Sequence, residues 1–165
     1  MANVEARSEK GGLFMIPRDA VNRMARGEVL TNSIGIAVFG DEDSVASLMG
    51  ATAAMVNTFK IKIGTPGWTV EEEVEHFRYS SIRKLAEVSS GKANLLGLVA
   101  FIIHWLAFNA ALNGGVEYRR LPVRSPNGRE FQVLVAWIRG GTVTFDDLMG
   151  EVGKRLIDGN SGSAG

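Results

Sequence analysis

The chain contains no cysteine. Disulfides, thiolate metal sites and cysteine nucleophiles are therefore excluded, and cysteine usage leaves the redox compartment open. Two histidines provide little material for a multi-histidine metal centre. Net charge is missing as well. Eighteen basic and 18 acidic side chains cancel, so no overall field recruits nucleic acid or an anionic membrane. Only a local basic face can do so. The glycine signatures of phosphate cradles, GxGxxG and GxxxxGK[ST], do not occur. Neither does a GxSxG elbow or an HExxH helix. Asp41-Glu42-Asp43 lacks the ligand spacing and distal Glu of a calcium loop. The acidic runs Glu71–Glu73 and Asp146-Asp147 fall at expected helix starts, where the dipole accounts for them. The expectation is a protein with no catalytic residues, no cofactor and no metal, and not an enzyme. Residues 1–12 lack the basic-then-apolar layout of a secretory signal.

What is present is organised around residues 93–116, which contain no Asp, Glu, Lys or Arg. Within Leu95–Leu112, 15 of 18 positions are apolar, interrupted by Gly97, His104 and Asn109. Such a run can cross a bilayer or form the buried central helix of a domain. The polar interruptions, and amphipathic segments on either side able to cover it, favour the buried helix. His104 is then expected inside the protein, hydrogen-bonded to Ser89 or Asn109.

The other segments follow from local signals. Pro17 suits the first position of a short helix that ends near Gly27. Ile34–Phe39 reads as a strand, Ser44–Thr58 as a helix packed closely through small residues, and Phe59–Ile63 (FKIKI) as an alternating edge strand. Thr69 and Glu72 have capping-box spacing and start a helix over 70–88, with Trp68 ahead of the cap. Glu117–Val123 and Phe131–Ile138 flank Asn127-Gly128, a hairpin turn signal. Phe131, Val133, Val135 and Trp137 share one face of the second arm, but Leu134, Ala136 and Ile138 make the other face apolar too. That pattern implies burial on both sides or a helical alternative. Thr144 and Asp147 have cap spacing before a last helix. The resulting fold class is α+β, predominantly helical, with a bundle-like core, short strands and a C-terminal hairpin. Residues 1–12 are expected to be an arm that is flexible or ordered by a partner, 13–158 one assembly domain, and 159–165 a flexible tail.

Basic residues recur in groups. Arg119, Arg120, Arg124 and Arg129 lie within one short span opposed locally by Glu117 and Glu130. Arg83 and Lys84 form a second group with Arg78 and Lys92, and Lys60 and Lys62 a third. Phosphate contacts need Lys or Arg without a sequence-reading motif. Tyr79 and Tyr118 are available for stacking. The bland reading of each group is a solvated surface paired with the equally numerous acids.

The functional expectation is a structural, self-assembling subunit of the viral-coat kind, contacting nucleic-acid phosphates nonspecifically. Arg119, Arg120, Arg124, Arg129, Arg83 and Lys84 are its candidate contacts. The partners implied are further copies of the chain, forming a homo-oligomer or polymer, and nucleic acid. The alternatives are a small membrane-associated protein using residues 95–112, and a soluble enzyme or regulator whose site is built from scattered residues.

Overall fold

The computed structural model describes residues 6–8 and 11–162, with side-chain surroundings from 12 to 156. Its frame is an antiparallel sheet of β1 (Ala6–Ser8), β2 (Gly11–Ile16), β3 (Gly35–Gly40), β4 (Val116–Arg124) and β5 (Glu130–Ile138). The spatial order is β1-β2-β3-β5-β4. Five helices complete the predominantly helical α+β fold: α1 (Ala20–Ala25), α2 (Glu42–Ile63), α3 (Val70–Ser89), α4 (Leu95–Leu112) and α5 (Phe145–Gly162). The expected hairpin is β4–β5, in register from Val116 opposite Ile138 to Arg124 opposite Glu130.

Alternation along the strands divides the apolar residues between two cores, because successive side chains leave opposite faces of a strand. Leu13, Met15, Ile36, Val38, Ala136 and Ile138 join the large core under α1 to α4. Phe14, Ala37, Val133 and Val135 join a smaller core with Leu148 and Val152 of α5. The two-sided apolar pattern of 131–138 is thus a strand buried on both faces. At Gly35 a Cβ would lie 2.7 Å from Val143 Cγ1 and 3.1 Å from Leu148. That missing Cβ lets α5 sit directly on β3.

Helix α4 is the centre of the large core, with ten of its 18 residues buried. The sheet, α2 and α3 enclose it. Phe77 of α3 stacks on Phe108 at 5.3 Å, and Phe59 of α2 meets the same ring at 5.3 Å. Its start is fixed by Asn94, whose side-chain oxygen accepts the Gly97 N–H at 2.7 Å. Asn109 fixes its far half. That side chain is fully buried, accepts the Thr31 N–H at 2.8 Å and donates to the Val29 carbonyl at 3.0 Å. Trp105 Nε1 donates to the same carbonyl at 2.9 Å.

Other helix starts are capped by side chains too. Asp41 accepts the Ser44 N–H at 2.8 Å and Thr69 accepts the Glu72 N–H at 3.2 Å. Thr144 and Asp147 cap one another reciprocally, at 3.1 and 2.9 Å. Trp68 turns its ring toward Phe108 and donates to Glu73 at 3.2 Å.

Two expectations are corrected. FKIKI is not a strand; it is the last turn and a half of α2. Phe59 is buried while Ile61 and Ile63 are exposed, so the two-residue alternation is not a burial pattern, and Lys60 and Lys62 suit the negative end of the helix dipole. Pro17 does not open α1. It lies in the preceding turn, where its carbonyl accepts the Ala20 N–H at 3.1 Å. Of the expected 1–12 arm, Ala6–Ser8 pairs with Gly11–Leu13 inside the sheet, and residues 1–5 and 9–10 lie outside the described residues. Of the expected 159–165 tail, residues 159–162 continue α5, and 163–165 lie outside the described residues.

Candidate nucleic-acid interface

Strand periodicity separates the basic residues that sequence proximity grouped. Arg119 and Arg120 are neighbours on β4 and so leave opposite faces of the sheet. Arg120 and Arg124 have the parity of Tyr118, which packs on the large core, and so lie on the side of α2 and α4. Arg119 has the parity of Leu121 and Val123, which pack against the α5-side core. Its guanidinium carbon sits 4.5 Å from the Phe145 ring centroid. Arg129, in the hairpin turn, lies 5.1 Å over the ring of Phe131, also on the α5 side. Arg83 and Lys84 belong to α3, which packs on α1 and α4 rather than beside β4. The six candidate contacts therefore occupy three separate surfaces.

Their partners differ as well. Arg124 is paired with Glu130, and Lys84 with Glu87 at 3.2 Å. Arg139, beside this region, is held by Glu117 at 2.8 Å. Exposed pairs of this kind are worth only about 0–1 kcal/mol each, so a phosphate can compete for the cation. The same holds for ring-bound Arg119, since exposed cation–π contacts contribute roughly 0.5–1 kcal/mol. Arg83 and Arg120 are exposed and form no ion pair among the described residues.

Aromatic residues are distributed differently from the expectation. Tyr118 is half-buried against the large core, and Tyr79 stands exposed on α3, away from β4. Three of the four rings that accompany cations are phenylalanines of the α5 face, the fourth being Phe59 under Lys62. Phe131 meets Phe39 edge-on at 6.3 Å, Phe39 meets Phe14 at 6.1 Å, and Trp137 meets Phe145 at 5.9 Å. Arg155 lies 5.2 Å over Phe14. Phe39, Phe131 and Phe145 are half-buried, so each presents part of its ring to solvent. Sequence reasoning assigned Phe131 to a strand face without joining it to Arg119. The available signal was the common parity of 119, 121 and 123 with their partners 135, 133 and 131 across the turn.

His104 is only half-buried and has neither Ser89 nor Asn109 as a hydrogen-bond partner; Asn109 serves Val29, Thr31 and Trp105 instead. The imidazole packs between Phe59 at 5.1 Å and Phe77 at 5.2 Å. Burial holds its pKa below the ordinary value of 6.5, with Glu73 opposing that shift and Lys62 and His76 adding to it. The neutral imidazole is a packing group between α2 and α3. Among the described residues, no group of three or more His, Asp or Glu side chains is placed to hold a metal ion.

No protein-family model, curated protein or solved structure matches the chain.

Proposed function

We propose that this chain is a structural subunit that assembles with copies of itself and contacts nucleic-acid phosphates without reading sequence. The observation that carries the reading is large apolar surface left open in the helical layer. Leu96 is 76% exposed, Ile61 72%, Tyr79 65% and Ile82 53%. Tyr79 and Ile82 lie one turn apart on the outer side of α3 and are exposed among the described residues. Burial between subunits removes such surface from water, and an aromatic ring beside aliphatic side chains is the composition that interface centres favour. Arginines held by weak surface contacts on β4 and its turn supply the phosphate-facing charge in a neutral subunit.

The enclosure of α4 supports a scaffold role for the apolar run. The membrane reading rests on the length and mean hydropathy, 2.1, of Leu95–Leu112. Purification without detergent separates the two, with mass, particle shape and the ratio of absorbance at 260 and 280 nm recorded. Regular particles or filaments carrying polymer are expected. A small monodisperse species free of nucleic acid would sink the proposal, and a requirement for detergent with lipid protection of residues 95–112 would replace it with the membrane reading.

A further inference from the structure

We propose that two copies of the chain meet along α3, antiparallel and on a two-fold axis at Tyr79. This rests on the self-assembly half of the function proposed above and assigns it one contact. Buried Phe77 and Ser81 mark the inner side of α3. The opposite side carries Glu72, Glu75, Tyr79, Ile82 and Ala86, all exposed among the described residues. Their steps of three and four residues form one stripe, the spacing of a seam between two helices. The stripe is acidic before Tyr79 and apolar from Tyr79 to Ala86, with exposed Arg83 alongside.

The charges of this helix identify the occupant. Glu71, Glu72, Glu73 and Glu75 precede Tyr79 with Arg78 as the one cation among them, a net −3 with His76 neutral. Arg83 and Lys84 follow it with Glu87, a net +1. Arg78 is paired with Glu75, and Lys84 with Glu87. Glu71, Glu72 and Arg83 form no ion pair among the described residues. A helix with one sign before its centre and the other after it complements a reversed copy of itself. Glu75 and Arg83 each lie four residues from Tyr79, about 6 Å along the helix axis. A two-fold axis at Tyr79 therefore brings each Arg83 level with Glu75 of the second copy, with Glu72 one turn further on. Opposite charges placed in this way fix register and direction. Reversal also opposes the two helix dipoles. A parallel pair would set glutamates against glutamates, and an anionic membrane or a phosphate backbone would meet the same carboxylates. The face of one helix, about 30 Å by 10 Å, is smaller than the roughly 800 Å² per partner of a standard interface. The contact is therefore weak alone and adds to others in an assembly.

The chain has no cysteine, so introduced thiols report on chosen positions alone. The test is oxidation of the full chain with copper phenanthroline, read on non-reducing gels. The double variant Glu75→Cys, Arg83→Cys is expected to trap a dimer, while either single variant traps none. Within one chain the two positions are about 12 Å apart, beyond the roughly 7 Å reach of a disulfide. In the cysteine-free chain, Arg83→Glu should weaken association in sedimentation velocity about fivefold, because the two-fold axis repeats each lost pair. Adding Glu72→Arg and Glu75→Arg to that variant should restore association, which damage to folding would not allow. Circular dichroism and urea midpoints should stay near those of the parent, since all these positions are exposed. A double variant that stays monomeric overturns the pairing. So do single variants that trap dimers as well as the double one does, or a charge swap that restores nothing. Imaging of the same preparations reports on assembly separately. Particles without the trapped dimer remove this contact alone. A trapped dimer without particles or polymer removes the function proposed above and leaves the contact standing.

Discussion

Asn109→Ala should be among the most damaging single changes in the protein. The side chain is fully buried and makes three hydrogen bonds: from the Thr31 N–H at 2.8 Å, to the Val29 carbonyl at 3.0 Å and to the Trp105 carbonyl at 3.2 Å. They are not equivalent. The Val29 carbonyl keeps the Trp105 Nε1 donor at 2.9 Å, and the Trp105 carbonyl sits within the helix ladder, so neither is orphaned. Losing those two bonds costs about 0.5–1 kcal/mol each. The Thr31 N–H has no other acceptor among the described residues, and leaving it unpaired adds about 1–3 kcal/mol. The sum is about 2–5 kcal/mol, a large fraction of a typical domain's 5–15 kcal/mol. Asn113→Ala provides the comparison. Its exposed amide donates once, at 2.7 Å, to a carbonyl that already accepts a backbone N–H, so about 0.5–1 kcal/mol is expected. Urea denaturation followed by circular dichroism measures both. A loss under about 1 kcal/mol for Asn109→Ala would refute the claim that this residue clamps the 29–31 segment to α4. Adding Trp105→Phe should cost more than the two single changes summed, because the Val29 carbonyl then loses both side-chain donors.

Further outcomes are expected. His104 has a depressed folded pKa, so the unfolded chain binds its proton first. The stability this group contributes is present above about pH 6.5 and is lost as pH falls through that value to the lower folded pKa. His104→Phe should flatten this part of the profile in urea midpoints measured from pH 7.5 to 5.0, and an unchanged profile would remove His104 as its source. Asn94→Ala deletes the cap of α4 and should cost about 1 kcal/mol by the same denaturation assay; no change would mean the helix start is held by packing alone. Gly141→Ala would place a Cβ 2.0 Å from the Asn32 carbonyl oxygen, a clash with backbone that costs roughly 1–3 kcal/mol or prevents folding. A variant melting like the parent would show that this approach is not close in solution.

Much of the architecture was legible because its causes are local. Thr69 and Thr144 announce their helices through a side chain bonding three residues on. Asn127-Gly128 announces the hairpin, with Gly128 at φ 87°. The two-sided apolar pattern of β5 announces a strand covered on both faces. FKIKI failed for the opposite reason. Five residues alternate by coincidence inside a helix of 22, and which of Phe59, Ile61 and Ile63 meets the core depends on where α4 lies.

The basic residues show the same division. By itself the sequence determined that the chain carries no net charge, that no thiol chemistry is available and that Leu95–Leu112 is the apolar centre around which helices gather. It also determined that arginines concentrate near the hairpin turn. Only the tertiary structure decided what that concentration amounts to. Pleating sends Arg119 and Arg120 to opposite faces, and the β3–β5 pairing brings Phe39 beside Phe131 from 92 residues away in the chain. The helix layer α1–α4 packs on one face of the sheet, and α5 packs on the other. Neighbours in sequence share a surface only when their backbone geometry points them the same way, and rings from distant strands meet only once the sheet's order is set.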